Sequence, residues 1–187
     1  MGSTSHCAQP TQVARTPNRT LEALGVGATC GALLDVLGRL IECGTLGSGN
    51  VVKLVTNQIW FINAAAVGET LVLGKKAGVE LPVLSEALKN SVADTFVIRH
   101  DVPSIFAGHY DPSFTLNLSR KDLDLIAAMS EATQTAMPMT QQAQHRFEAA
   151  RSAFGGDQPE PLVCKLIEDA SGVDLRVERD WPDHSEA

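Results

Sequence analysis

With 187 residues the chain can bury one sizeable core, or one domain and part of a second, and two full domains are not expected. A composition of 44% apolar and 20% charged residues is that of a globular protein with a packed core. A net charge of −7 without any cluster of Lys or Arg argues against nucleic acid as a partner and leaves a small ligand.

Residues 1–20 mix Ser, Thr, Gln and Pro without apolar periodicity, and no acid precedes Glu22. Their acid-poor, Arg-containing character resembles an organelle transit peptide, but apolar residues are too few for an amphipathic helix. The expectation is a disordered or irregular leader over 1–31. Within it, Gly25 to Gly31 reads GxGxxxG and Glu42 follows at about the place of a ribose-binding acid. Thr20 to Leu24 is a poor buried strand, however, so a loop is expected there. Leu33, Leu34, Leu37 and Leu40 suit a short helix, and Leu40 to Cys43 a brief strand entering a turn with Gly44, Gly47 and Gly49.

Residues 50–76 read as one helix of about 40 Å, with Lys75 and Lys76 in its last turn and Gly78 at its stop. Apolar residues occur nearly all round it, which predicts an enclosed, central element. Its apolar run, Ile59 to Val67, is interrupted by Asn63 and is too short to cross a bilayer, so no membrane is expected. Pro82 opens a helix through Lys89, and a further segment covers 92–106 with a break near Pro103. Residues 109–118 read as irregular or extended. Ser119 and Asp122 form a capping-box pattern for a helix to about Thr133. Thr140 starts another that ends before Gly155, Pro161 to Ser171 forms the last, and 176–187 is a loose tail.

Lys53 and Asn57 stand four apart, a spacing that projects both from one helix face. A lysine between Val52 and Leu54 could be partly desolvated, the condition for acid–base work near neutral pH. The glycines before it let backbone approach closely, and free N–H groups at a helix start favour an anion. The bland alternative is a solvated pair behind a tight turn. His100 with Asp101 and His109 with Asp111 have irregular spacing on an expected loop, so they read as surface polar residues and no metal site is expected. Cys7, Cys30, Cys43 and Cys164 show no CxxC spacing, which fits a reducing, cytoplasmic setting. Ser48 and Ser119 have no triad context.

The stretch GTLGSGNVVKLVTNQ, residues 44–58, resembles the GxxGxGxxxKxxNN signature of the β-hydroxyacid dehydrogenases, the 3-hydroxyisobutyrate dehydrogenase family related to 6-phosphogluconate dehydrogenase. Gly68-Glu69, KKAGVELPVL and FTLNLSRKDLDL follow in that family's order, and the likeness covers about Leu33 to Leu175. The resemblance implies an all-α fold, the 6-phosphogluconate-dehydrogenase-like C-terminal helical domain over 50–175, preceded over 32–49 by a short remnant of a Rossmann domain. It implies that Lys53 is the catalytic acid/base and that Asn57 binds the substrate and holds Lys53. Lys121 would lie beside the cofactor with Asp122 in support, and Gly47 and Gly49 would line the cleft. NAD or NADP as cofactor, a small hydroxyacid substrate and a homodimer through the helical half are implied with them. Thr56 departs from the family, which has Asn there, or His in the phosphogluconate enzymes, so phosphogluconate is disfavoured. The complete Rossmann domain and the Ser-Gly-Gly substrate loop of the family are not recognisable in the sequence, so this chain alone is expected to bind cofactor weakly or not at all. The rival reading is a non-catalytic helical dimerisation or ligand-binding module.

Overall fold

The computed structural model describes residues 14–15 and 41–178, and the expectations for the leader, the Gly25 to Gly31 loop, the 32–40 helix and the tail beyond 178 lie outside them. Two short strands, β1 (Ala14–Arg15) and β2 (Ile41–Glu42), pair in parallel with Ala14 opposite Ile41. The strand expected at 40–43 is present as β2. Its partner falls inside the stretch expected to be irregular, because pairing between distant segments leaves no local apolar pattern.

Helices follow: α1 (Ser48–Lys76), α2 (Leu81–Lys89), a π-helical turn (Val97–Asp101) running into α3 (Val102–Ala107), then α4 (Leu116–Thr133), α5 (Pro138–Phe154) and α6 (Leu162–Ser171). By compactness the chain divides after Thr56, within α1, and the helical core belongs to the segment from Asn57 onward.

In that segment α1 buries Phe61, Ala64, Val67, Leu71 and Val72, a stripe at helical spacing. They join Ile98, Ile105 and Phe106 of the π turn and α3, Leu123 of α4, Phe147 of α5 and Val163 of α6 in one core. Phe61 sits at its centre, with Trp60 at 5.2 Å and Phe147 edge-on at 5.3 Å between ring centroids. The enclosure expected for α1 is not found. Ile59 and Leu73 are 56% and 71% exposed, because the neighbouring helices cover only one of its faces.

Several boundaries differ from the sequence reading for identifiable reasons. Pro103 does not break its segment. An α-helical proline clashes with the carbonyl four residues back, but the Val102 N–H here reaches five back to the Val97 carbonyl, and the wider turn admits Pro103. Helix α4 begins at Leu116, and its cap is Thr115, whose Oγ1 accepts from the Leu118 N–H at 3.3 Å. Ser119 lies inside the helix, its hydroxyl donating to the Thr115 carbonyl at 3.1 Å. The early start follows from pairing. Leu116 and Asn117 N–H groups donate to the Gln158 and Gly156 carbonyls, and the Glu160 N–H donates back to Phe114. Helix α5 begins at Pro138, two residues before Thr140, with the proline in the first turn, where its missing N–H costs nothing. Near the end of the described chain the Val177 N–H donates to the Phe106 carbonyl at 3.0 Å, and Leu175 is fully buried.

Glycine at 68 is fixed by the crossing of α1 and α6. A Cβ there would lie 3.0 Å from the Cys164 Cα and 3.2 Å from its Cβ. Gly68→Val is therefore expected to lower the unfolding free energy by about 1–3 kcal/mol in urea denaturation, as overpacked cores do. Gly68→Ala should cost less, because alanine regains about 1 kcal/mol of helix propensity. A valine variant as stable as the parent would refute the close approach.

Candidate functional site

The glycine turn delivers the chain into α1. Gly47 has φ +95°, a left-handed conformation that favours glycine, and its carbonyl accepts from the N–H groups of Asn50 and Val51. Among the described residues no atom lies within 4 Å of a Cβ built on Gly47, so its conformation accounts for it, while Gly49 in the first turn is buried. Lys53 follows in the second turn and is exposed. The partial desolvation expected for it is not supplied by the described residues, since it precedes Phe61, the first core residue of the helix. Thr56, the departure from the family signature, spends its hydroxyl on the Lys53 carbonyl at 2.9 Å.

Asn57 lies four positions after Lys53 in the same helix and is half-buried. Its Nδ2 donates to Asp122 Oδ2 on α4 at 2.7 Å, across 65 residues of sequence. Asp122 is buried, so its carboxylate is a receptor for a side chain of α1 and not part of a cap. Lys121, one residue earlier on α4, is exposed. The next α1 residue adds a second tie: Gln58 Nε2 donates to Thr140 Oγ1 at 2.8 Å at the start of α5. The KDL segment and the asparagine of the glycine–lysine motif thus meet through one charge-assisted hydrogen bond.

A second polar group was missed by the sequence reading. Asp101 is not a surface residue. It is buried in the π turn, accepting from Trp60 Nε1 at 3.2 Å and holding His100 Nδ1 at 2.9 Å. Asp111 lies 3.7 Å from the same nitrogen and accepts from the Ser113 N–H and Oγ, each at 2.9 Å. Glu160 is buried beside them. The hydrogen bond to Asp101 raises the His100 pKa above 6.5, burial opposes this, and the charges of Asp101 and Asp111 add to the rise. Burial, with Asp101 and Asp111 nearby, pushes the Glu160 carboxyl well above the usual range. No sequence signal could have placed these groups together, because Trp60 stands 41 residues from Asp101. Among the described residues no three His, Cys, Asp or Glu side chains are disposed to hold a metal.

Two outcomes test this geometry. Asn57→Ala removes a donor from a buried carboxylate and is expected to cost about 1–3 kcal/mol by urea denaturation; a variant of parental stability would mean that the bond is not held in solution. Because the folded His100 value lies above the unfolded one, the interaction stabilises the protein fully below pH 6.5 and is lost as pH rises through the folded value. Asp101→Asn should lower the His100 pKa in an NMR titration, and an unchanged value would remove the carboxylate as its cause.

Compared with known proteins, residues 47–167 match the family described as NAD-binding of NADP-dependent 3-hydroxyisobutyrate dehydrogenase. The 2-(hydroxymethyl)glutarate dehydrogenase of Eubacterium barkeri is 29% identical over 145 residues, which are 76% of this chain and 48% of that protein. Glyoxylate/succinic semialdehyde reductase 1 of Arabidopsis thaliana is 32% identical over 134 residues, 71% of this chain and 46% of that protein. Among solved structures, a 3-hydroxyisobutyrate dehydrogenase from Salmonella typhimurium superposes with a TM-score of 0.71 at 21% identity, covering 81% of this chain and 52% of that one, and so shares the fold. The chain spans about half the length of the curated relatives it matches. With the match running from the glycine turn to within α6, the chain belongs to the family of NAD-binding domains of NADP-dependent 3-hydroxyisobutyrate dehydrogenases.

Proposed function

We propose that this chain is the helical, C-terminal half of an NAD(P)-dependent dehydrogenase or reductase acting on a small 3-hydroxy acid or its semialdehyde. The observation that carries the reading is the 2.7 Å bond from Asn57 to Asp122, which joins the asparagine of the GxxGxG-x3-K motif to the KDL segment. The relatives named for 2-(hydroxymethyl)glutarate and for glyoxylate or succinic semialdehyde support the substrate class.

In this reading Lys53 is the acid/base. As a neutral amine it takes the proton of the substrate hydroxyl during oxidation, and as an ammonium it returns that proton during reduction. The nicotinamide, when bound, supplies the hydride acceptor or donor. Asn57, oriented by Asp122, hydrogen-bonds the substrate. Lys121 serves the anionic cofactor, and Gly47 and Gly49 let the opposing surface come close. Two exposed lysines fit an anionic cofactor and a carboxylate substrate. In this reading the pyrophosphate is held by a dinucleotide-binding domain. The exposed Ile59 and Leu73 of α1 support dimerisation through the helical half. The free thiols Cys43 and Cys164 support a cytoplasmic setting, and no described helix is long and apolar enough to cross a membrane.

The test is turnover of small 3-hydroxy acids with NAD or NADP by the protein as its host makes it. Lys53→Ala is expected to lower kcat by about 10²–10⁴-fold, the usual worth of a positioned proton donor. Lys121→Ala should raise the cofactor KM. Unchanged turnover in Lys53→Ala would remove the acid/base role, and failure to bind either nicotinamide cofactor would leave a non-catalytic dimerisation or ligand-binding module.

A further inference from the structure

Helix α1 is covered on one side only, and its bare side is patterned. At about 100° per residue, the covered side carries Phe61, Ala64, Gly68 and Leu71. Opposite it stand Ile59, Asn63, Ala66, Thr70, Leu73 and, just past the last turn, Ala77, separated by four and three residues in alternation. That alternation keeps one seam on a helix and is the spacing by which helices pair. Ile59 and Leu73 are the large apolar members, Ala66, Thr70 and Ala77 are exposed, and Asn63 is half-buried. From Ile59 to Ala77 the seam is about 27 Å long, and all of it lies in the segment from Asn57 onward.

The order of side chains along the seam says what covers it. Ala66 lies midway between Ile59 and Leu73, about two turns from each, so large, small, large reads the same from either end. A face of that kind is complementary to itself about a two-fold axis, as the contact of a symmetric pair requires. With the axis at Ala66 the copies run antiparallel. Ala66 meets Ala66 where the helices come closest, and Ile59 of each copy packs on Leu73 of the other. Charge selects the same direction. Lys75 and Lys76 close α1 and no acid stands in its first turn, so parallel copies would set like charges side by side, while antiparallel copies hold those ends about 30 Å apart and oppose the helix dipoles. Asn63 then falls beside Thr70 of the second copy. The Thr70 hydroxyl donates to the Ala66 carbonyl at 3.1 Å, which leaves its lone pairs to accept from that Asn63 amide. A single polar layer inside an apolar seam fixes the register of paired helices.

We propose that a second copy of this chain docks on this face, with the α1 helices antiparallel across a two-fold axis at Ala66. The direction and register rest on the dimerisation in the proposed function and go beyond it, and they are independent of its chemistry. Each copy covers the Ile59 and Leu73 of the other, so the pair closes on itself and leaves no open seam for a third chain.

Cysteine placement locates the axis. In Ala66→Cys the thiols of the two copies face each other, and mild oxidation of the full chain is expected to give a covalent dimer on a non-reducing gel, beyond any that the parent forms through its own cysteines. In Ala77→Cys the thiols stand about 33 Å apart along antiparallel helices, so no added dimer is expected, whereas parallel helices would join both variants. Sedimentation equilibrium of the full chain should show a dimer, and Leu73→Glu should raise its dissociation constant about tenfold or more. Adding Ile59→Lys to Leu73→Glu should restore association, because each new ammonium meets the new carboxylate of the other copy. A monomeric parent overturns the seam and the dimerisation together. A dimer that Ala66→Cys does not link, that Ala77→Cys links equally, that Leu73→Glu leaves intact or that the double variant does not restore overturns the seam alone, and the dehydrogenase chemistry stands or falls separately by turnover.

Discussion

The hydrogen bond from Asn57 to the buried carboxylate of Asp122 is the constraint on which the arrangement of α1 and α4 depends. A carboxylate that is 3% exposed needs strong donors in place of water. Asn57 supplies one at 2.7 Å, and in doing so sets how far α4 can slide or turn on α1, because a shift of one residue in either helix moves the partner about 100° away. Three residues on, Trp60 binds Asp101 and places its ring against Phe61, Phe96 and Phe114. One turn of α1 thus fixes α4 and the π turn together, while Gln58 adds the start of α5.

The interior is unusually acidic around α6, and its two buried glutamates are treated differently. Glu168 accepts from the Tyr110 hydroxyl at 3.0 Å, the Leu175 N–H at 3.3 Å and Lys165 Nζ at 3.5 Å. That set ties the chain after α6 to Tyr110, which follows α3, and burial beside Glu168 pushes the Tyr110 phenol well above its ordinary value. Glu160, just before α6, has no such set for Oε1, and burial pushes its carboxyl well above the usual range. Satisfied, a buried acid organises structure.

What could be read from the sequence was what repeats locally or is spelled as a motif. The single helix through Lys53 and Asn57, the stop at Gly78, the start at Pro82 and the end at Gly172 rest on spacing and on glycine and proline chemistry. The failures share a cause, which is long-range pairing. Ser119 and Asp122 satisfied a capping pattern, yet antiparallel hydrogen bonds from 114–117 to 156–160 started α4 earlier and freed Asp122 for the interior. Pro103 matched a helix breaker until a π turn removed its clash. His100 and Asp101 looked like loop polarity, because the indole that buries them is supplied by α1. The all-round apolar character of α1 was legible, but which face is covered depends on the order of its neighbours.

The contrast between Lys53 and Asn57 bears on how the proposed chemistry is divided. Asn57 is oriented by groups this segment itself provides, so its carboxamide is pre-positioned before any substrate arrives. Lys53 is exposed to water. Proton transfer in a dehydrogenase site needs that water displaced, since desolvation and fixed dipoles set how readily an amine gives up its proton. In the proposed reading the displacement comes with the surface that closes over the glycine turn. Gly47, with open space where a Cβ would stand, leaves room for that surface. On that proposal the helical half supplies orientation and an opposing domain the dry environment, so that neither completes the acid/base without the other.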